Sequence, residues 1–323
     1  MWHMSERRGD NFRSVKLRLR NRVSATNRPV VDRPVNEQDT HGVALPTSSG
    51  TGGLAGARVR IVAWNIRAGG GVRIEAIARQ IERWAPDVVA LCEFRATPPS
   101  AQLARRLAEQ GLVHQRTTAD PLRPGVNALL VASRWPLRRV RLDGEPVEPG
   151  RWLLASIAAP RPFLLGAMHV PNRVTGRKYP FLDAVLGLAQ RWRRGPAVFL
   201  GDTNSGRRGI DEERPGFNAQ EDGWVVGLEG MGWADAFRHL RGGARAFTWY
   251  SPNAGRGFRI DQAFVNRHLL AELSRVRYTW GRARGLTGRA AVSDHAALLL
   301  ALGGPAPSIG LAAPSTTGLP NTV

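Results

Sequence analysis

The chain is 323 residues long, 42% hydrophobic, and carries a formal charge of +20. That length can bury a substantial core as one large domain or two ordinary ones. No stretch reaches the roughly 18–20 apolar residues of a membrane-spanning helix, and the single cysteine, Cys92, excludes both a disulfide framework and a cysteine zinc site.

Residues 1 to about 56 mix charges, prolines and the small-residue run LPTSSGTGGLAG without a sustained hydrophobic period, and read as a disordered basic arm and linker. The N-terminus lacks the apolar core of a signal peptide, so the expected location is the cytoplasm, and a monomer is expected. From 57 to 303, short runs rich in valine, isoleucine and leucine alternate with helical patterns. In chain order the predicted strands are VRIVAWN, DVVALCE, NALLVAS, WLLASIA, FLLGAMHV, AVFLGD, FRIDQAFV, RVRYTW and HAALLLAL. Helices are predicted over 72–84, 100–110, 180–192 and 233–240. Several strands follow one another with no helix between them, which favours two mixed sheets packed together with helices outside over a simple alternating parallel fold. After 303 the uncharged, proline-rich end reads as a disordered tail. Residues 57–303 hold 37 basic and 21 acidic side chains, so the basic excess lies mainly in the folded part. Such a field attracts phosphates, although a solvated basic surface is the competing reading. Of the 46 basic residues 44 are arginine, a bias that weakens any argument from charge alone.

The predicted strands end on polar residues again and again: Asn65, Glu93, His169 with Asn172, and Asp202 with Asn204. Asp261 falls inside an otherwise apolar run, and Asp294 and His295 precede the last strand. Asparagine and aspartate also terminate strands by bonding their own backbone, and a lone histidine is often a packing residue. Asp261 differs, because a charge within an apolar strand is costly unless paired, and His295 is the partner it would hold. Together these residue types suit phosphoester hydrolysis. Carboxylate and amide oxygens match Mg²⁺ or Mn²⁺, and nitrogen donors match phosphoryl oxygens. The minimum residues of a P-loop, an HExxH zinc site and a GxSxG elbow are absent from the sequence.

The series AWNIR, PDVVALCEF, HVPN, GDTNS, FTWYSP, FRIDQAFV and SDHAALL, in that order, resembles the endonuclease/exonuclease/phosphatase superfamily of metal-dependent hydrolases. The resemblance implies a DNase I-like fold, a four-layered α/β sandwich of two packed mixed β-sheets flanked by helices, with the site at one edge. It implies that Glu93 ligates the metal with Asn65 and Asp294 nearby. Asp202 would orient and deprotonate the attacking water, with Asn204 positioning it. His295, held by Asp261, would stabilise charge on a nonbridging oxygen, and His169 and Asn172 would contact the phosphate. Arg256, Arg259 and Trp249 are the further substrate-binding candidates, with locking of Asp261 or its strand as the rival role of Arg259. His169 and Phe258 stand where the DNA-repair branch usually carries tyrosine and tryptophan, which points away from specific abasic-site cleavage. The expected function is a Mg²⁺- or Mn²⁺-dependent nuclease acting on DNA. The alternatives are a phosphatase or phosphodiesterase for a small-molecule or lipid phosphoester, and a nucleic-acid-binding protein with a degenerate site.

Overall fold

The computed structural model describes residues 58–281 and 292–303. The expected arm (1–56) and tail (304–323) lie outside these residues. Two six-stranded mixed sheets form the centre. The first contains β1 (Val59–Asn65), β2 (Val88–Phe94), β3 (His114–Thr117), β4 (Ala128–Ser133), β13 (Leu273–Thr279) and β14 (Ala297–Leu302), in the order β13-β14-β1-β2-β4-β3. The second contains β5 (Leu137–Arg139), β6 (Trp152–Ile157), β7 (Phe163–His169), β8 (Ala197–Asp202), β9 (Trp233–Asp235) and β12 (Asp261–Asn266), in the order β5-β6-β7-β8-β12-β9. β10 (Trp249–Tyr250) and β11 (Gly257–Phe258) make a separate ribbon.

Both faces of the central strands are apolar, so each sheet packs twice. Ile61 and Ala63 of β1 meet Leu165 and Leu200 of the second sheet in the central core. The alternate residues, Val62 and Trp64, turn outward onto Ile77 and Ile81 of α1 (Ile74–Trp84) and Leu103 and Leu107 of α2 (Pro98–Glu109). On the other side Phe199 of β8 turns outward onto Phe181 and Val185 of α3 (Lys178–Gln190) and Trp224 and Val225 of α4 (Ala219–Gly230). The result is the expected four-layered α/β sandwich. Truncating a fully buried side chain such as Ile77 to alanine would cost about 2–5 kcal/mol.

Strand direction decides which residues can meet. β1 and β2 run parallel, as do β7 and β8. β4 and β14 run against the first pair, and β6 and β12 against the second. One edge of the sandwich therefore collects the last residues of four strands and the first residues of four others. Gly201 is needed there: at φ 136°, an added Cβ would lie 2.0 Å from the Met168 carbonyl oxygen. Without a side chain, β7 and β8 close up and set His169 beside Asp202 in register.

Besides β3, β5, β10 and a single-turn helix at Arg267–Leu270, none of which was expected, three elements differ from expectation. FRIDQAFV is broken at Arg259 and Ile260, so Asp261 opens β12 instead of lying within a strand. Residues 233–240 divide into β9 and the short α5 (Ala236–Arg241), because the Asp235 carboxylate accepts the Phe237 and Arg238 N–H groups and starts the helix there. Finally, α4 was not predicted, since Gly223 and Gly227 dilute its helical pattern. No helix among the described residues is long and apolar enough to cross a membrane.

Candidate active site

Asn65 lies buried at the end of β1, where its amide nitrogen donates to Glu93 Oε1 (3.2 Å) and Asp202 Oδ2 (3.0 Å). This one amide joins the two sheets. Glu93 sits at a register slip of β2 with φ 60°, a left-handed conformation that costs roughly 1–3 kcal/mol for a residue with a side chain. Its second oxygen, Oε2, accepts the Ala68 N–H at 2.7 Å. Arg67 and Ala68, in the loop after β1, are also left-handed, as are the three glycines that follow them. Asp294 stands at the rim, 3.7 Å from the Arg67 guanidinium.

In the second sheet, His169 Nε2 is 3.7 Å from Asp202 Oδ2, and His169 Nδ1 is buried with no hydrogen-bond partner. Asn204, left-handed at φ 45°, donates its backbone N–H to Asp202 Oδ1 at 3.0 Å and its side-chain amide to the Val170 carbonyl at 2.8 Å. It is thus the backbone of Asn204, not its side chain, that touches Asp202. At the start of β12, Asp261 Oδ2 lies 2.9 Å from His295 Nδ1. The Thr248 hydroxyl accepts the Asp261 N–H at 3.1 Å, and the Tyr278 hydroxyl donates to the Asp261 carbonyl at 2.8 Å. His295 Nε2 is left facing Asp202 Oδ2 at 3.9 Å.

These contacts separate the protonation states. Burial disfavours the charged form of His295, but Asp261 outweighs it, helped by Asp202 and Asp294, and raises the pKa to about 10. His169 has no comparable partner; burial dominates and lowers its pKa to about 4. Burial pushes the Asp202 carboxyl upward, against the pull of His295 and with added repulsion from Asp261. At neutral pH the edge therefore holds a charged imidazole and a neutral one around Asp202, whose carboxyl is more basic than usual.

A cavity of about 260 Å³ opens over this edge, lined among others by Glu93, His169, Asn172, Asp202, Asn204, Trp249, Asp294 and His295. Asn65 and Asp261 form the layer beneath. Two candidates are not part of it. Arg256 lies exposed in the turn between β10 and β11 and does not line the cavity. Arg259 is fully buried and bonded to both oxygens of Asp211 (2.8 and 2.7 Å) and to Asp235 (2.6 Å), so no phosphate can reach it. It locks neither Asp261 nor a substrate directly; its salt bridges fasten the 211 loop to β9. The cavity also has linings that were not predicted: Asn127, Arg151 and Thr175. Asn127 and Arg151 immediately precede β4 and β6, strands that leave the edge instead of arriving at it.

Asp202, Asp261 and His295 offer ligand-type atoms within 4.8 Å of one another. A cation among them would compete with the imidazolium that Asp261 already holds. Glu93 offers a better fit for a hard divalent ion: two N–H donors fix its carboxylate, and both it and Asp294 line the cavity.

A sequence profile of the Endonuclease/Exonuclease/phosphatase family matches residues 62–295. Recombination repair protein 1 of Drosophila melanogaster is 31% identical over 136 residues, a match that covers 34% of this chain and only 19% of that protein. Among solved structures, an AP endonuclease from Archaeoglobus fulgidus superposes with a TM-score of 0.63 at 19% identity, covering 75% of this chain and 98% of the other. A 3′ phosphatase from Neisseria bound to product DNA hairpin gives 0.59 at 18% identity, with the same coverage of 75% and 98%. The family match indicates a phosphoester hydrolase. The chain belongs to the endonuclease/exonuclease/phosphatase family.

Proposed function

We propose that this protein is a divalent-metal-dependent phosphodiesterase that hydrolyses DNA by attack of water on phosphorus. One observation carries the reading: a basic, buried carboxylate, Asp202, faces the same cavity as the charged His295, 3.9 Å away. A base beside a fixed cation is what proton removal from water and charge build-up on a phosphoryl oxygen require. Asp202 accepts the water's proton, while Asn65 and the Asn204 N–H hold its direction. His295, oriented by Asp261, donates from Nε2 to a nonbridging oxygen. Neutral His169, with Asn172, takes a second phosphate oxygen. Glu93 with Asp294 would hold Mg²⁺ or Mn²⁺, which would supply Lewis-acid polarisation of the phosphoryl group; Asn65, expected as a ligand, instead orients Glu93 from beneath, because its amide oxygen accepts the Arg67 N–H. DNA as substrate is supported by the net positive charge of the domain and by the DNA-bound Neisseria phosphatase of the same fold.

The test is hydrolysis of plasmid, single-stranded DNA, RNA, an abasic duplex, a generic phosphodiester and sphingomyelin by purified protein, each with Mg²⁺, Mn²⁺ or chelator. Metal-dependent cleavage of DNA is expected. Cleavage of sphingomyelin alone would overturn the substrate, and full activity in excess chelator would overturn the metal.

A further inference from the structure

We propose, resting on the function above, that Lys178 is a positioning residue for the water-activating carboxylate: its ammonium grips the Asn204 carbonyl and so fixes the turn that aims Asp202. Within residues 58–303 every basic residue but this one is arginine. In a chain that uses arginine so nearly everywhere, a lone lysine marks a place where a compact ammonium fits and a planar guanidinium does not. Lys178 is 2% exposed at the first turn of α3.

Its Nζ donates to the Asn204 carbonyl oxygen and to Glu221 Oε1. Glu221 is itself fixed. It sits in the first turn of α4, where it accepts the Asn218 N–H at 3.0 Å and the Arg173 Nε–H at 2.7 Å. Burial opposes its ionisation, yet Arg173, Lys178 and the Asn218 N–H hold its pKa below the ordinary carboxylate value. Lys178 therefore pairs with a charged, anchored partner and has little freedom to reach a ligand.

The consequence falls on Asn204. Its left-handed backbone at φ 45° costs roughly 1–2 kcal/mol, and its backbone N–H, backbone carbonyl and side-chain nitrogen are all tied. The N–H holds Asp202, the amide nitrogen holds to the Val170 carbonyl, and the carbonyl is held by Lys178. The first two bonds lie within the second sheet's edge. Only the third ties that edge to α3 and α4, the rigid helical layer behind it. Removing it frees the peptide after Asn204 to rotate and loosens the N–H that directs the Asp202 carboxylate.

The experiment is Lys178→Met, which keeps the stem and deletes the charge, alone and combined with Glu221→Leu. Turnover of Lys178→Met is expected to fall roughly 10- to 100-fold, the scale of a small misplacement of a reacting group, with KM changed less than about twofold. Lys178→Met/Glu221→Leu also removes the buried carboxylate, which would otherwise keep only Arg173 and the Asn218 N–H as partners, and is expected to regain melting temperature without regaining turnover. Normal turnover in folded Lys178→Met overturns the proposal, as does turnover that returns together with melting temperature. If the wild-type protein hydrolyses none of the substrates, the functional reading fails on its own. The clamp is then judged by amide exchange at residues 202–206: faster exchange in folded Lys178→Met supports it, and unchanged exchange overturns it.

Discussion

Two clusters of buried charge stand a few residues apart in sequence and behave oppositely. Around Arg259, two carboxylates meet two guanidiniums: Asp211 bonds Arg259 and Arg238, and Asp235 bonds Arg259 while capping α5. Burial alone would raise the Asp211 pKa, but the two arginines keep it below the ordinary value. Around Asp202, two carboxylates meet one imidazolium, and the balance is left to Asn65, a neutral His169 and an open cavity. Equal burial with unequal neutralisation gives a lock in one place and a reactive edge in the other.

The sharpest way to break this comparison is to neutralise one carboxylate or cation in each cluster. Asp202→Asn is expected to lower kcat by about 10²- to 10⁴-fold, the range for general-base catalysis, without lowering the melting temperature. Arg259→Leu leaves buried Asp235 without its guanidinium and Asp211 with Arg238 alone, and destabilisation of about 3–5 kcal/mol is expected, with near-normal turnover for the fraction still folded. Denaturant melts beside single-turnover rates check both. A stable Arg259→Leu with a weaker salt dependence of DNA binding would return that residue to the substrate surface.

The next effect separates the charged histidine from its holder. His295→Ala is expected to cost about 10²- to 10³-fold in turnover, as for other donors to a developing oxyanion. The donor must be protonated, so the rate falls as pH rises through about 10. Asp261→Asn removes the main cause of the raised pKa and moves that alkaline limb down toward the ordinary imidazole value of about 6.5. A pH–rate profile whose alkaline limb stays in place would show that Asp261 does not set the charge of His295. A smaller change is expected at Glu93. Glu93→Gln keeps one oxygen donor and the fold, and should raise the Mg²⁺ concentration for half-maximal activity several-fold, on the order of a lost carboxylate ligand. Titrating activity against metal measures it.

Much of this edge is legible in the sequence because a strand that arrives at a site announces itself: an apolar run, then a polar residue. Asn65, Glu93, His169 and Asp202 all have that form. Departing strands reverse the order and sit after loops, so Asn127 and Arg151 look like ordinary loop residues until antiparallel pairing brings them back. The same blindness leaves the two roles of Arg259 undivided in the sequence. Its neighbours in sequence point to the site, while its partners, Asp211 and Asp235, lie 48 and 24 residues away. For α4 a signal was present: Asn218 and Glu221 form a reciprocal capping box ahead of the Trp224, Val225 and Leu228 face. Packing of that face onto the second sheet overrides the cost of its glycines.

The subtlest consequence of unequal neutralisation concerns stability, and it lies with the other histidine. His169 is buried beside Asp202, yet its pKa falls to about 4 while an unfolded histidine titrates near 6.5. Its folded pKa is depressed, so between these values the unfolded chain binds the proton that the folded chain refuses. Stability is then full above about pH 6.5 and declines as pH falls toward 4, by on the order of 1 kcal/mol per pH unit for this one group. His169→Gln, which cannot take up that proton, is expected to flatten the decline over this interval while leaving stability at pH 8 within about 1 kcal/mol of the parent. Arg259 stays charged throughout, and Asp211, held below the ordinary carboxylate value, keeps its charge until lower pH, so the lock adds little slope in the same window. Urea melts from pH 4 to 8 on both proteins measure the difference. Parallel curves would mean that His169 charges freely in the folded state, and that Asp202 neutralises it as fully as Asp261 does His295.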